Sequence, residues 1–262
     1  MKVGILSVVP TSGKTTLMEL LAGVFTISQR RTAALFSTGD LSDFTSSVET
    51  NEISTKPQAD VVKAMIESSA GDRLLLDYGT RIGMENVFLY NILGAEMDDD
   101  DKIQFLTDAI NAVPVDLTLV EITGDPFSYI NQNVLKQLDC CFILVYPCWK
   151  AINEFREFIK KLPNCMAVDN YMAVAAMIDP RSIGDKKFAS LLGIKLEDML
   201  RYPELDVLPK EALAVHLDAC CEKIVAGDPQ YVQLRQPIYE MMSYIFDTNT
   251  YSIIRPIEKW CI

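Results

Sequence analysis

The stretch Lys2-Val3-Gly4-Ile5-Leu6-Ser7-Val8-Val9-Pro10-Thr11-Ser12-Gly13-Lys14-Thr15-Thr16 decides the fold of this chain. Its first part, Lys2–Val9, is apolar and rich in β-branched residues, which is typical of a strand buried on both faces. A helical pattern follows from Thr15 to Ser28. Gly13-Lys14-Thr15-Thr16 therefore stands where the first strand gives way to the first helix, and this position predicts a phosphate-binding loop.

The residue types in this loop suit the binding of phosphate groups. Backbone N–H groups at the start of a helix point outward with the positive end of the helix dipole. Gly13 allows a close approach of the backbone, Lys14 can reach the terminal phosphates, and Thr15 offers a hydroxyl to magnesium. The full Walker pattern of a phosphate-binding loop has a glycine five residues before Gly13, where this sequence has Val8. The match is thus confined to the second half of the motif.

Apolar runs alternate with helical patterns along the rest of the chain. The predicted strands are Lys2–Val9, Arg31–Ser37, Asn86–Ile92, Asp116–Ile122, Cys140–Tyr146 and Tyr171–Ile178, with Leu205–Leu208 as a further short edge strand. The predicted helices are Thr15–Ser28, Ala59–Ser69, Lys102–Ala112, Ala151–Lys161, Lys186–Leu192 and Tyr231–Ile245, with Pro237 as a kink or as the true start of the last one. We therefore expect an α/β fold with a doubly wound, mainly parallel sheet flanked by helices.

Length and composition indicate one intracellular domain. The chain has 262 residues, of which 49% are apolar, and no Gly/Ser/Pro-rich linker divides it, so we expect a single domain over residues 1–262. It has no secretory signal pattern and no apolar stretch of the ~20 residues that cross a bilayer, which predicts a cytoplasmic protein. The seven cysteines lack C-x-x-C spacing and indicate reduced thiols in a core.

Charge narrows the possible partners. The net charge of -12, with no cluster of lysines and arginines, disfavours direct DNA binding.

The acidic run Asp98–Asp101 suits the start of a helix better than a calcium loop, because the spaced ligands and the glycine of an EF-hand are absent. We expect the single histidine, His216, to have a structural role. The tail Arg255–Ile262 contains Trp260, but Pro256 breaks any amphipathic helix there, so at most a weak peripheral membrane contact is expected.

The sequence resembles the ParA/MinD family of P-loop ATPases, which includes the TadZ/CpaE proteins of pilus systems. The family's loop reads Lys-Gly-Gly-x-Gly-Lys-Thr-Thr, so Gly13-Lys14-Thr15-Thr16 match, whereas Val9, Pro10 and Thr11 stand at the signature lysine and the two glycines. The likeness continues in segments that are similar to the family's later strands and to its late adenine-side segment: Glu85–Tyr90, Val115–Gly124, Leu138–Pro147 and Val207–Pro209. The resemblance covers most of the chain in the family's order, with a degenerate Walker A loop.

This resemblance implies ATP and Mg²⁺ as cofactors and assigns roles to residues. Thr11, Ser12, Gly13, Lys14, Thr15 and Thr16 would bind phosphates, and Pro209 would lie beside the adenine. Glu121 stands at the Walker B aspartate position and would hold Mg²⁺ through water, while the hydroxyl of Thr15 would ligate the ion; Asp125 is an alternative acid. Asp40 follows the second strand and is the best-placed acid to orient the attacking water, ahead of Asp43.

The resemblance also implies a function. It predicts a slowly hydrolysing ATPase that acts as a nucleotide-dependent homodimer, with protein partners in a pilus, secretion or partition system. In this family the signature lysine reaches across the dimer to the nucleotide of the partner subunit. Val9 stands in its place here, and the loss of this cation should slow hydrolysis more than it weakens nucleotide binding. Two alternatives stay open: a non-catalytic scaffold on the same fold, and a small-molecule ligase or kinase of the P-loop class.

Overall fold

The computed structural model describes residues 1–9, 13–39, 80–81, 86–90, 98–161, 171–176, 183–202 and 217–246. Within these residues, eight strands form one sheet: β1 (Lys2–Ser7), β2 (Ala33–Ser37), β3 (Thr80–Arg81), β4 (Val87–Leu89), β5 (Leu117–Glu121), β6 (Cys140–Val145), β7 (Tyr171–Ala176) and β8 (Met199–Tyr202). Their spatial order is β3-β4-β2-β5-β1-β6-β7-β8. Seven of them run parallel, and the two-residue β3 pairs antiparallel with β4 at one edge. The predicted, mainly parallel sheet is confirmed.

Helices cover both faces of the sheet, as a doubly wound fold requires. The described helices are α1 (Lys14–Gln29), α2 (Asp99–Ala112), α3 (Tyr129–Leu135), α4 (Trp149–Lys161), α5 (Asp185–Leu192), α6 (Leu217–Ala226) and α7 (Val232–Phe246), with 3₁₀ turns at Leu196–Asp198 and Pro229–Tyr231. One apolar core joins α1, α6 and α7 to the sheet, and a second core joins α2, α3, α4 and α5 to the opposite face.

The strands alternate their side chains between these two cores, as the two-residue repeat of a strand demands. Val3 and Ile5 of β1 face the first core, whereas Leu6 faces the second. In β6, Cys140 packs into the first core and Cys141 into the second, so the two adjacent thiols point to opposite faces. Burial raises the pKa of the Cys140 thiol from 9.0 to about 12, and it also raises the pKa of Cys141.

The acidic run does mark the start of a helix. The carboxylate of Asp98 accepts a hydrogen bond from the backbone N–H of Asp101 at 2.8 Å and caps α2, and three further aspartates lie in its first turn. The helix therefore begins at Asp99, three residues before the predicted Lys102. Pro237 lies inside α7, which begins at Val232, so this proline is not the start of that helix.

Among the described strands and α-helices, four were not predicted: β3, α3, β8 and α6. Several predictions fall outside the described residues, namely the helix Ala59–Ser69, the strand Leu205–Leu208, the structural role of His216 and the packing of the tail Arg255–Ile262. Among the helices that the described ranges contain, none combines the length and the apolar character needed to cross a membrane.

Candidate functional site

The junction between β1 and α1 lies in the middle of the sheet, at the carboxyl ends of its parallel strands. β1 is flanked by β5 and β6, and in open α/β sheets ligands bind at this edge, where the winding reverses. Gly13 is the N-cap of α1 and has a left-handed backbone with φ 75° and ψ 26°, which favours glycine. No side chain caps the helix, and the Gly13 carbonyl accepts from the N–H of Leu17 at 2.9 Å.

Two residues of the first turn of α1 converge on one carboxylate. The Thr15 hydroxyl donates a hydrogen bond to Glu121 Oε2 at 2.9 Å, and Lys14 Nζ lies 3.8 Å from Glu121 Oε1. The side chain of Glu121 is 4% exposed and that of Lys14 is 15% exposed. This cluster unites a cation and a hydroxyl, both half-buried, with a buried acid, and the sequence predicted all three for phosphate and magnesium binding.

Strand order explains the convergence. Glu121 is the last residue of β5, and β5 lies between β1 and β2 in the sheet. Glu121 pairs in register with Ile5 of β1 and with Ser37 of β2, so its side chain stands beside the point where the chain leaves β1 for α1. Lys14 and Glu121 are far apart in sequence and adjacent only through this parallel pairing.

Ser7, the last residue of β1, is a contact that the sequence did not identify. Lys14 Nζ donates to Ser7 Oγ at 3.4 Å, and the Ser7 hydroxyl donates to the carbonyl of Val9 at 2.7 Å. The sequence signal was a polar residue within an apolar run, and the structure shows that this residue is buried. The Ser7 hydroxyl therefore contacts both the start of the loop and the ammonium group of Lys14.

A pair of threonines joins the segments that leave β2 and β5. The backbone N–H of Thr123 donates to Thr38 Oγ1 at 3.0 Å, and the two hydroxyls lie 3.4 Å apart. The backbone N–H of Thr38 also donates to the carbonyl of Glu121 at 3.0 Å. Gly39 packs so closely that an added Cβ would lie 2.1 Å from Thr123 Oγ1. The two segments are therefore fixed to each other next to Glu121.

Asn131 of α3 holds the segment after β5 from the other side. It is 2% exposed, and its Nδ2 donates to the carbonyls of Thr123 at 2.7 Å and of Asp125 at 2.8 Å. Its Oδ1 is buried and has no hydrogen-bond partner among the residues that the structure describes. Asn131 thus fixes the turn through which the chain leaves Glu121.

The remaining predicted site residues divide into two groups. Asp125 is exposed, and its carboxylate accepts from the N–H of Phe127 at 3.0 Å in a local turn, whereas Glu121 contacts Thr15. Glu121 is therefore the acid that the structure brings to the loop. Thr16 lies in the first turn of α1 and is half-buried. The residues outside the described ranges are Pro10, Thr11, Ser12, Asp40, Asp43 and Pro209.

The oxygen atoms at this junction fit a magnesium ion. Mg²⁺ prefers oxygen ligands. The Thr15 hydroxyl and the Glu121 carboxylate supply two oxygen atoms, which a hydrogen bond holds side by side in this structure. The ammonium of Lys14 and the start of α1 supply the positive charge that a phosphate group needs. The donor set therefore fits a magnesium-complexed nucleotide.

No protein-family model and no curated protein matches this chain. Solved structures do match it. The ParA family ATPase from Chlorobium tepidum TLS has a TM-score of 0.64 at 16% identity, over 92% of this chain and 97% of that chain. A chain of the MinC:MinD cell division protein complex from Aquifex aeolicus has a TM-score of 0.64 at 15% identity, over 95% and 97%. The septum site-determining protein MinD from Pyrococcus horikoshii OT3, complexed with Mg-ADP, has a TM-score of 0.60 at 14% identity, over 94% and 98%.

These likenesses establish the fold. Seven parallel strands flanked by helices match the P-loop NTPase fold of the ParA and MinD proteins over nearly the full length of both chains. The expected resemblance is confirmed at this level. At identities of 14–16% the comparison reaches no further than fold, and the narrower likeness to TadZ/CpaE proteins stays a prediction.

Proposed function

We propose that this chain binds ATP with Mg²⁺ at the β1–α1 junction and hydrolyses it slowly, as a nucleotide-dependent homodimer in the cytoplasm. One observation carries the proposal: Lys14 and Thr15 converge on the buried Glu121 where the first strand meets the first helix. A cation, a hydroxyl and a carboxylate at such a junction are the groups that bind a magnesium-complexed phosphate chain. A single domain over residues 1–262 is part of the same proposal.

Each site residue has a place in this proposal. Lys14 would bind the terminal phosphates, and Thr15 and Glu121 would hold the magnesium ion. Backbone N–H groups of the loop would bind the remaining phosphate oxygens, Pro209 would border the adenine, and Asp40 would orient the attacking water. The residues of the loop are Thr11, Ser12, Gly13, Lys14, Thr15 and Thr16. When bound, magnesium would neutralise charge on the phosphates, and the protein would contribute mainly positioning.

Slow hydrolysis follows from the composition of the loop. A second cation from a partner subunit stabilises the charge that develops during phosphoryl transfer, and its loss lowers the rate far more than the affinity. Val9 stands where the ParA/MinD pattern has that lysine. We therefore expect nucleotide binding to be retained and turnover to be low.

We propose that the dimer interface and the partner-binding surface lie at the edge of the sheet that carries the β1–α1 junction. Tyr129 at the start of α3 is 63% exposed, and Trp149 at the start of α4 is 66% exposed. Both follow strands, β5 and β6, that flank β1, and exposed aromatic residues commonly anchor protein interfaces. By likeness to the ParA and MinD proteins, we propose a task in positioning or assembling cellular machinery, such as a pilus or a secretion system.

A non-catalytic scaffold is the alternative function. Val8 and Val9 occupy positions where the motif has a glycine and a lysine, and both pack half-buried against the second core. A phosphate-release assay separates the two. Turnover of wild-type protein above the background of Lys14→Ala supports the ATPase, and rates equal to that background support the scaffold.

Sedimentation with and without ATP and Mg²⁺ tests the dimer. Trp149→Ser should weaken nucleotide-dependent association, whereas Val232→Ser, which removes a 60% exposed apolar side chain on α7, should not. If both variants associate as strongly as wild type, Trp149 is not part of the interface. A monomer under all conditions would contradict the dimer itself.

A further inference from the structure

A groove opens on the surface between α4 and the end of α5. Its volume is about 440 Å³, and it is lined by the second half of α4, by the first residue of β7 and by the turn that follows α5. Tyr171 begins β7, so the groove lies at the amino ends of the parallel strands. The β1–α1 junction lies at their carboxyl ends. The groove is therefore separate from the candidate phosphate site.

The groove has an apolar floor and a polar rim. Leu192 is buried, and Ile159 and Ile194 are partly buried, and all three belong to the second core. The rim on α4 consists of exposed side chains on neighbouring turns of the helix: Asn153, Arg156, Glu157 and Lys160. An apolar floor beneath a polar rim suits the insertion of one apolar side chain, with polar groups of the same ligand at the rim.

The unbalanced charge of the rim is positive. Lys160 Nζ donates to Glu157 Oε1 at 2.5 Å, so these two charges offset each other. Arg156 makes no ion pair with any residue that the structure describes. Helix α4 has four basic and two acidic residues, whereas the whole chain has 24 basic and 36 acidic ones. Arg156 therefore offers a carboxylate a partner on a helix that is less acidic than the rest of the protein.

The end of α5 does not oppose an acidic ligand with bare carbonyl oxygens. The carbonyl of Ser190 accepts from the N–H of Gly193 at 3.2 Å, and the carbonyl of Ala189 accepts from the N–H of Ile194 at 3.1 Å. Both carbonyls at this helix end thus have donors within the turn that borders the groove. The guanidinium of Arg156 remains the charged group without a counter-ion at the rim.

Shape and charge favour a peptide over a membrane or a nucleic acid. Among the described residues, the exposed large apolar side chains lie outside the groove: Tyr129, Tyr146, Trp149, Leu196 and Val232. The apolar surface of the groove is recessed, so it cannot enter a bilayer, but a side chain can reach it. A nucleic acid needs several cations for its phosphates, and the rim has one unbalanced arginine in a chain of net charge -12.

We propose that this groove binds a peptide segment of a partner protein in which an acidic residue stands near a large apolar one. The apolar side chain lies on the floor beside Leu192, and the carboxylate binds the guanidinium of Arg156, whose fork of N–H donors matches two carboxylate oxygens. The amide of Asn153 hydrogen-bonds the peptide backbone. This surface is additional to the interface proposed at the carboxyl edge, and it does not depend on nucleotide binding.

The test begins with random dodecapeptides displayed on phage and selected on the full chain without nucleotide. Peptides that are enriched are synthesised with a fluorescent label, and their affinity is measured by fluorescence anisotropy at about 0.15 M salt, where charges beyond about 8 Å are screened. We expect the enriched peptides to combine aspartate or glutamate with a large apolar residue. Arg156→Glu should weaken their binding at least about tenfold, because it replaces an attraction with a repulsion.

Gly193→Asn tests the groove by shape and leaves its charge unchanged. Gly193 has a left-handed φ of 78°, which asparagine tolerates, and an added Cβ would meet no atom within 4 Å. The new side chain should narrow the groove and weaken binding at least about tenfold. This variant keeps the test informative if Arg156→Glu does not fold. Lys186→Glu makes the same change in charge at an exposed position of α5 outside the groove, and should bind as wild type does.

The inference is overturned if no peptide is enriched, if the enriched peptides lack acidic residues, or if Arg156→Glu and Gly193→Asn bind them as tightly as wild type. It is also overturned if Arg156→Glu abolishes binding to duplex DNA, to phosphatidylserine vesicles or to a second copy of the chain while no peptide binds. Arg156→Glu should bind ATP as wild type does. A failure of nucleotide binding would therefore contradict the proposed function and leave the peptide result standing.

Discussion

The hydroxyl of Thr38 accepts a hydrogen bond from the backbone N–H of Thr123 at 3.0 Å, and this contact joins the chain segments that leave β2 and β5. The backbone ladder between the two strands ends at Ser37 and Glu121. The side chain of Thr38 thus adds one contact between the two chain segments just beyond the last residue pair, close to Glu121 of the candidate site. The two segments that follow the strands are held at a fixed separation there.

Replacing Thr38 with valine should destabilise the fold by about 1 kcal/mol. Valine has nearly the same shape but leaves the N–H of Thr123 without its acceptor, and a partly buried unpaired N–H is costly. Thr38→Ser, which keeps the hydroxyl, is the control. The measurement is the free energy of unfolding in urea, and equal values for the two variants would show that the hydroxyl contributes nothing.

Replacing Asn131 with leucine should cost about 2 kcal/mol of folding free energy. The change removes both hydrogen bonds from Nδ2, to the carbonyls of Thr123 and Asp125, within a buried turn. Asn133→Leu on the same helix is the matched control, because Asn133 donates a single exposed bond to the carbonyl of Tyr129. We expect that control to stay within about 0.5 kcal/mol of wild type. Similar losses for both variants would refute a special role for Asn131.

Stability should fall at alkaline pH because of the buried thiol of Cys140. Burial raises its pKa in the folded protein from 9.0 to about 12, so between these values the unfolded chain loses its proton while the folded chain keeps it. Unfolding is therefore favoured as pH rises, by about 2 kcal/mol from about pH 9 to about pH 11. Cys140→Ala should flatten the pH dependence of the free energy of unfolding by that amount.

The half-buried Cys148 provides the control for this pH experiment. Cys148→Ala removes a thiol from the loop after β6, outside the interior of the sheet. This variant controls for the loss of a thiol as such, because it leaves Cys140 in place. Parallel curves for wild type and Cys140→Ala between about pH 9 and about pH 11 would contradict the burial effect.

Much of the fold could be predicted because parallel strands buried on both faces leave continuous apolar runs. β1 and β6 are such runs, and their predicted starts at Lys2 and Cys140 are confirmed. The helix α3 has no such signal, since only Val134 and Leu135 among its apolar residues are buried. β8 was missed because its middle residues, Leu200 and Arg201, are not buried, as is common at a sheet edge.

The candidate site was predictable in its local part and not in its long-range part. Gly13, Lys14 and Thr15 are contiguous, so their spacing is visible in the sequence. The contacts of Lys14 with Glu121 and of Thr38 with Thr123 depend on β5 entering the sheet between β1 and β2. Strand order is set by packing of the whole sheet, and one sequence does not encode it as a local pattern.

The most direct test of the account is whether Lys14 is required for nucleotide binding. Titration calorimetry with ATP and Mg²⁺ should give saturable heat with wild-type protein and none with Lys14→Ala. Lys136→Ala, which removes an exposed lysine after α3, should bind as wild type does. Unchanged ATP affinity in Lys14→Ala, or no heat with wild type, would contradict nucleotide binding at the β1–α1 junction.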